Sequence, residues 1–122
     1  KGVSTILRYL KVSRSANPDI VRLITYLKEH MAENISLEQA ANFCALGKSQ
    51  FCVLFKKQTG DTFLNYFNSM KMRRAYELLT KKNIQVQEAA EQIGIQDLSY
   101  FSRIFKKYYT ISPSEVKKSK NY

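Results

Sequence analysis

The stretch from Asp97 to Tyr109, Asp-Leu-Ser-Tyr-Phe-Ser-Arg-Ile-Phe-Lys-Lys-Tyr-Tyr, gathers side chains with much to offer a polyanion. Wound into a helix, it puts Phe101, Ile104, Phe105 and Tyr108 at i, i+3, i+4 and i+7, an apolar stripe about 100° wide. The other face carries Ser99, Tyr100, Ser102, Arg103, Lys106 and Lys107. A guanidinium such as Arg103 can grip guanine O6 and N7 with two hydrogen bonds, and the hydroxyls can meet base edges. Lys106 and Lys107 can neutralise phosphates, which hold a protein on a duplex without reading it. Asp97 can accept hydrogen bonds from the free N–H groups of the first turn, so the helix is expected to start there.

An earlier stretch, Lys48 to Lys57, is built the same way. Its outward residues are Lys48, Ser49, Gln50, Cys52, Val53 and Lys56. Gln50 can pair with adenine, while Cys52 and Val53 can at best touch a thymine methyl. Lys56, Lys57, Thr62 and Ser112, with the helix starts at Thr62 and Ser112, are candidates to hold phosphates. Arg73 and Arg74 are further candidates, although a solvated surface position fits them equally well.

Other chemistries find little support. One His and two Cys do not make a disulfide framework or a four-ligand metal site, and no nucleophile–base pair is evident. No enzyme activity, metal or cofactor is expected. Cys44 falls on an apolar stripe and should be buried as a small hydrophobe. Free thiols fit a reducing cytoplasm, and no apolar run is long enough to span a membrane.

The 122 residues carry 20 Lys and Arg against 10 Asp and Glu, a formal charge of +10, which favours a polyanionic partner. The charge is segregated. No Lys or Arg occurs from Glu29 to Gly47 or from Asn83 to Ser102, whereas cations crowd Lys48 to Lys82 and Arg103 to Lys120. Alternating blocks suit a protein with one basic side. The alternative is a basic helical module for an anionic membrane surface or a protein partner. A membrane-surface helix would need a wide apolar face, and here each stripe is needed for a core.

The elements that must position these faces can be read in order. Residues 1–16 read as a linker or the remnant of a preceding domain. Asn17-Pro18-Asp19 starts a helix with Ile20, Leu23, Ile24 and Leu27 inside. Ser36-Leu37-Glu38-Gln39 is a capping box opening a short helix, and Gly60 should close the next one as its C-cap. A long helix then runs from Thr62 to about Thr80. Its core candidates are Phe63, Tyr66, Phe67, Met70, Ala75, Leu78 and Leu79, and it carries Lys71, Arg73 and Arg74 as basic residues. Ser112-Pro113-Ser114-Glu115 combines a second capping box with proline at the first helical position.

The chain then repeats itself. Shifted by 49, Ile35, Leu37, Ala40, Ala41, Cys44 and Leu46 lie over Ile84, Val86, Ala89, Ala90, Ile93 and Ile95. Shifted by 50, Ser49, Phe51, Leu54, Phe55, Lys56 and Lys57 lie over Ser99, Phe101, Ile104, Phe105, Lys106 and Lys107. The second copy has one extra residue, around Gln96. Each copy is a short helix with paired alanines, a tight turn and a helix with a basic outer face. That is the helix-turn-helix pattern, whose second helix enters the major groove. Two copies are too few for a solenoid. A linker helix of about 18 residues spans roughly 27 Å, comparable with its flanking turns to the ~34 Å between major-groove faces on one side of B-DNA.

These features together resemble the DNA-binding domain of the AraC/XylS family of bacterial transcription regulators. The resemblance rests on Ala41-x-x-Cys44-Ala45-Leu46, Phe55-Lys56-Lys57-x-Thr59-Gly60, and Tyr66 through Lys71-Met72-x-x-Ala75-x-x-Leu78-Leu79. Its strongest part is Ala90-x-x-Ile93-Gly94-Ile95-x-Asp97-x-Ser99-Tyr100-Phe101-x-Arg103-x-Phe105-Lys106-Lys107 with Ser112-Pro113. It implies an all-α fold of about seven helices: a first helix-turn-helix subdomain at 17–60, a linker helix at 61–81 and a second subdomain at 82–122. It further implies duplex DNA and RNA polymerase as partners, no membrane, and an effector or dimerisation domain outside this chain. The family often has Arg where Lys71 stands, Gly where Thr110 stands, and polar residues or Arg where Cys52 and Val53 stand.

Overall fold

Side chains that can satisfy a helix's free N–H groups occur just ahead of most helices, and helices begin there. The computed structural model describes residues 17–120, with side chains through Lys118, so the linker or remnant reading of 1–16 lies outside the described residues. Within them are seven helices and no strand: α1 Pro18–Glu29, α2 Leu37–Phe43, α3 Lys48–Thr59, α4 Phe63–Thr80, α5 Val86–Gln92, α6 Leu98–Tyr109 and α7 Pro113–Lys120. Asn17 Oδ1 accepts from the Asp19 N–H at 2.8 Å ahead of α1. The capping box of α2 is closed both ways, Gln39 N–H to Ser36 Oγ at 3.0 Å and Ser36 N–H to Gln39 Oε1 at 2.9 Å. α7 repeats it with Ser112 and Glu115 at 2.9 and 3.2 Å. α3 ends as expected on Gly60, at φ +84°.

The chain packs as two units, each with its own core. The first takes 17–29 and Ile35–Tyr66. It buries Ile20, Leu23 and Leu27 of α1, Ala40 and Ala41 of α2, and Phe51 and Phe55 of α3. The Phe51, Phe55 and Phe63 rings lie 5.4–5.8 Å apart, and Tyr66 stands edge-on to Phe55 at 5.3 Å. The second unit takes His30–Asn34 and 67–120. Its core joins Met72, Ala75, Leu78 and Leu79 of α4 to Ala89, Ala90, Ile93, Ile95, Phe101, Phe105 and Val116.

The repeat in the sequence is a repeat in the backbone. The turn between α2 and α3 is closed by Leu46 N–H on Ala41 C=O at 3.0 Å, and that between α5 and α6 by Ile95 N–H on Ala90 C=O at 2.9 Å. Both turns pass through the left-handed region at matching positions, Ala45 at φ +55° and Gly94 at φ +81°. Glycine is needed at the second for a further reason. A Cβ on Gly94 would lie 2.4 Å from the carbonyl oxygen of Ala32, so the His30–Asn34 turn sits directly on it.

Three features differ from the sequence reading. The packing does not divide at 60 and 81: α4 is shared, its first four residues belonging to the first unit and the rest to the second, and His30–Asn34 belongs to the second. Lys71, which the sequence presents only as a basic residue of this helix, is 5% exposed, between buried Met70 and Met72. Its Nζ lies 4.4 Å above the Phe67 ring and donates to Asn34 Oδ1 at 3.5 Å, an arrangement that keeps a buried ammonium partnered. Burial holds its pKa below the usual lysine value. Finally, Tyr108 is 38% exposed, and Tyr109 carries the α6 stripe onward. The reason is α4, whose Tyr76 ring packs on Tyr109 at 4.7 Å.

Candidate nucleic-acid interface

Each second helix of a repeat is pinned by two phenylalanines and leaves the face opposite them exposed. In α3, Phe51 and Phe55 are fully buried, and Lys48, Ser49, Gln50, Cys52, Val53, Lys56 and Lys57 are all exposed. In α6, Phe101 and Phe105 are fully buried, Ser99, Tyr100, Arg103, Lys106 and Lys107 are exposed, and Ser102 is half-buried. The candidate base-reading residues of each repeat therefore share one helix face.

The two faces are not equivalent. Val53 is 67% exposed, an apolar side chain offered to solvent at the centre of α3. Its counterpart Arg103 stands 5.8 Å over the Tyr100 ring. The helix starts differ too. Asp97, the N-cap of α6, accepts from the N–H groups of Ser99 and Tyr100 at 2.9 and 3.2 Å. Gly47, the N-cap of α3, offers no side-chain acceptor. The extra residue at Gln96 brings Asp97 to this cap.

The candidate phosphate contacts are mixed. Lys56, Lys57, Lys106 and Lys107 are exposed in the last turns of their helices, where cations also suit the helix dipole. Thr62 is exposed, but its N–H donates to Asp61 Oδ1 at 2.8 Å while its Oγ1 accepts from Asn65 N–H at 3.2 Å. Ser112 is half-buried, and the hydrogen bonds it gives Glu115 hold that carboxyl below its usual pKa. Both helix starts thus already carry a carboxylate. Arg74 pairs with Glu77 at 3.3 Å, whereas Arg73 is exposed. Arg73 is close enough to Tyr109 to oppose the rise that burial imposes on that phenol's pKa.

Among the described residues, no three His, Cys, Asp or Glu side chains gather as a metal site, and no helix is long and apolar enough to cross a membrane. The sequence pattern assigns Lys71 no role at this end of the molecule, and the structure has it donate to Asn34 of the His30–Asn34 turn.

Comparison with known proteins places this arrangement. A family model described as a helix-turn-helix domain matches residues 40–119. The MmsAB operon regulatory protein of Pseudomonas aeruginosa is 34% identical over 108 residues, which is 88% of this chain but 35% of that protein. This chain thus spans about a third of that relative's length. Among solved structures, the C-terminal domain of AraT, a response regulator from Geobacillus stearothermophilus, superposes with a TM-score of 0.78 at 27% identity, covering 84% of this chain and 85% of that one. The DNA-binding domain of AdpA, solved in complex with a target DNA, superposes at 0.80 with 20% identity, over 83% and 91% of the two chains, and so bears on the fold alone. With one family matched across two thirds of its length and both repeats in place, this chain belongs to the AraC/XylS family of helix-turn-helix proteins.

Proposed function

We propose that this chain is the DNA-binding part of a bacterial transcription regulator, holding duplex DNA by inserting α3 and α6 into successive major-groove segments. The observation that carries the reading is the repeated pairing of buried phenylalanines with an exposed face of cations and hydrogen-bonding side chains on α3 and α6. In this reading Arg103 grips guanine, Gln50 meets adenine, and Ser49, Ser99 and Ser102 donate or accept at base edges. Lys48 faces base edges with the serines, and Lys56, Lys57, Lys106 and Lys107 neutralise phosphates, with Arg73 in support. RNA polymerase as a second partner, and a sensing or dimerising domain elsewhere in the protein, belong to the same proposal through the family resemblance.

The two helices should divide the work unequally. A bidentate arginine contact discriminates by about 1–3 kcal/mol, and a thymine-methyl contact should give less. The test selects a site from random duplex DNA, then measures a panel of single-base substitutions at fixed salt. Arg103→Ala should flatten base preference in one half of the site. Cys52→Ala and Val53→Ala should change it only slightly, and Lys56→Ala should weaken every sequence alike. Greater loss of discrimination in the Cys52 and Val53 variants than in the Arg103 variant would overturn this division.

A further inference from the structure

We infer that Tyr100 is a positioning residue: its ring holds the Arg103 guanidinium ready for a base edge, and its hydroxyl reads nothing. The inference rests on the DNA-binding reading and deepens it. Tyr100 and Arg103 are three residues apart on α6, so their side chains are neighbours on one face of the helix. The guanidinium carbon stands 5.8 Å from the Tyr100 ring centroid, within the range over which a cation is drawn to an aromatic face. Tyr100 is 37% exposed and Arg103 is exposed beside it, so the pair stands at the surface where a base edge can reach the guanidinium.

The first turn of α6 is also the better fixed of the two. Asp97 accepts from the Tyr100 N–H at 3.2 Å, tying the backbone that carries the ring, and Gly47 has no side chain to do this for α3. Gln50 and Val53 occupy the matching positions of α3, so the first repeat has neither ring nor cation there. An exposed arginine gives up rotamer freedom when it docks, and a guanidinium already resting on a ring gives up less. The ring also leaves the guanidinium's N–H donors free, whereas a carboxylate partner would occupy them and have to be displaced.

The test is a double-mutant cycle on the site selected by the unaltered protein, in single-base-substituted duplexes at fixed salt. Tyr100→Ala should weaken binding about two- to tenfold, the rotamer freedom that one long side chain gives up when it docks unsupported. The loss should be concentrated at the guanine that Arg103 reads. Tyr100→Phe, which keeps the ring and removes the hydroxyl, should bind as the unaltered protein does. In an Arg103→Ala background, Tyr100→Ala should have no further effect. The proposal is overturned if Tyr100→Phe loses as much as Tyr100→Ala, which makes the hydroxyl a reader. It is overturned equally if the two alanine losses simply add. Circular dichroism on each variant separates either result from unfolding of α6. Failure of the unaltered protein to prefer any sequence would instead defeat the DNA-reading proposal, a distinct outcome.

Discussion

The two cysteines show how far a residue's environment can set its chemistry. Cys52 is exposed on α3, and Cys44 is buried at the end of α2. Burial, with Asp19 adding to it and Arg22 opposing, pushes the Cys44 thiol up to about 11. The thiolate is the reacting form, so at pH 8 only about one Cys44 in a thousand is ionised even before access is considered. An alkylating reagent at pH 8 should therefore label one thiol in the native protein and two in denaturant. Two labelled thiols in the native state would place Cys44 outside the core. The burial of Cys44 was legible from its place on an apolar stripe. That of Lys71 was not, because a lysine in a helix of mixed character is ordinarily solvated, and only the turn arriving from His30–Asn34 supplies Asn34 as a partner. Tyr108 and Tyr109 failed for a similar reason: which of two adjacent rings faces inward depends on where α4 puts Tyr76.

Among the elements, the boundaries were the most legible part, because caps are local chemistry. Asn17, Ser36, Asp97 and Ser112 each open a helix through a side chain visible in the sequence. The candidate reading face was legible as well, since a helix that buries two phenylalanines four residues apart must expose the side chains opposite. Phe105 is fully buried in the second core, so Phe105→Ala should cost roughly 3–5 kcal/mol. Coincident thermal melts of variant and unaltered protein would show the stripe to be misassigned. The turns carry a finer prediction. Gly60 and Gly94 both hold positive φ, but a Cβ on Gly60 meets nothing within 4 Å whereas one on Gly94 meets the Ala32 backbone. Gly60→Ala should cost about 1–2 kcal/mol for conformation alone. Gly94→Ala should cost about 1–3 kcal/mol more for the clash. Equal losses in urea denaturation would mean that the turn does not rest on Gly94. The need for glycine there came from a segment some sixty residues away in the chain, which the repeat alone could not show.

At the scale of the whole molecule, the proposed phosphate contacts should make DNA affinity sensitive to salt. If six of the candidate cations neutralise phosphates, the binding constant should fall about 10³-fold between 50 and 200 mM salt. A titration series on one duplex checks this, and a nearly flat response would remove the phosphate contacts from the proposal. The path of the chain has a consequence of another kind. It visits the second unit at His30–Asn34 before it has finished the first. On the ribosome, those five residues are made long before Lys71 and Gly94, the positions that hold them. The first unit has all its residues once Tyr66 has emerged, but the turn must wait for a neighbour not yet synthesised. The reverse order is closed: a fragment beginning at Phe67 contains α5, α6 and α7 yet lacks the turn that covers Gly94. Grafting the second half of this domain onto another protein would therefore have to carry along a five-residue piece from near the other end.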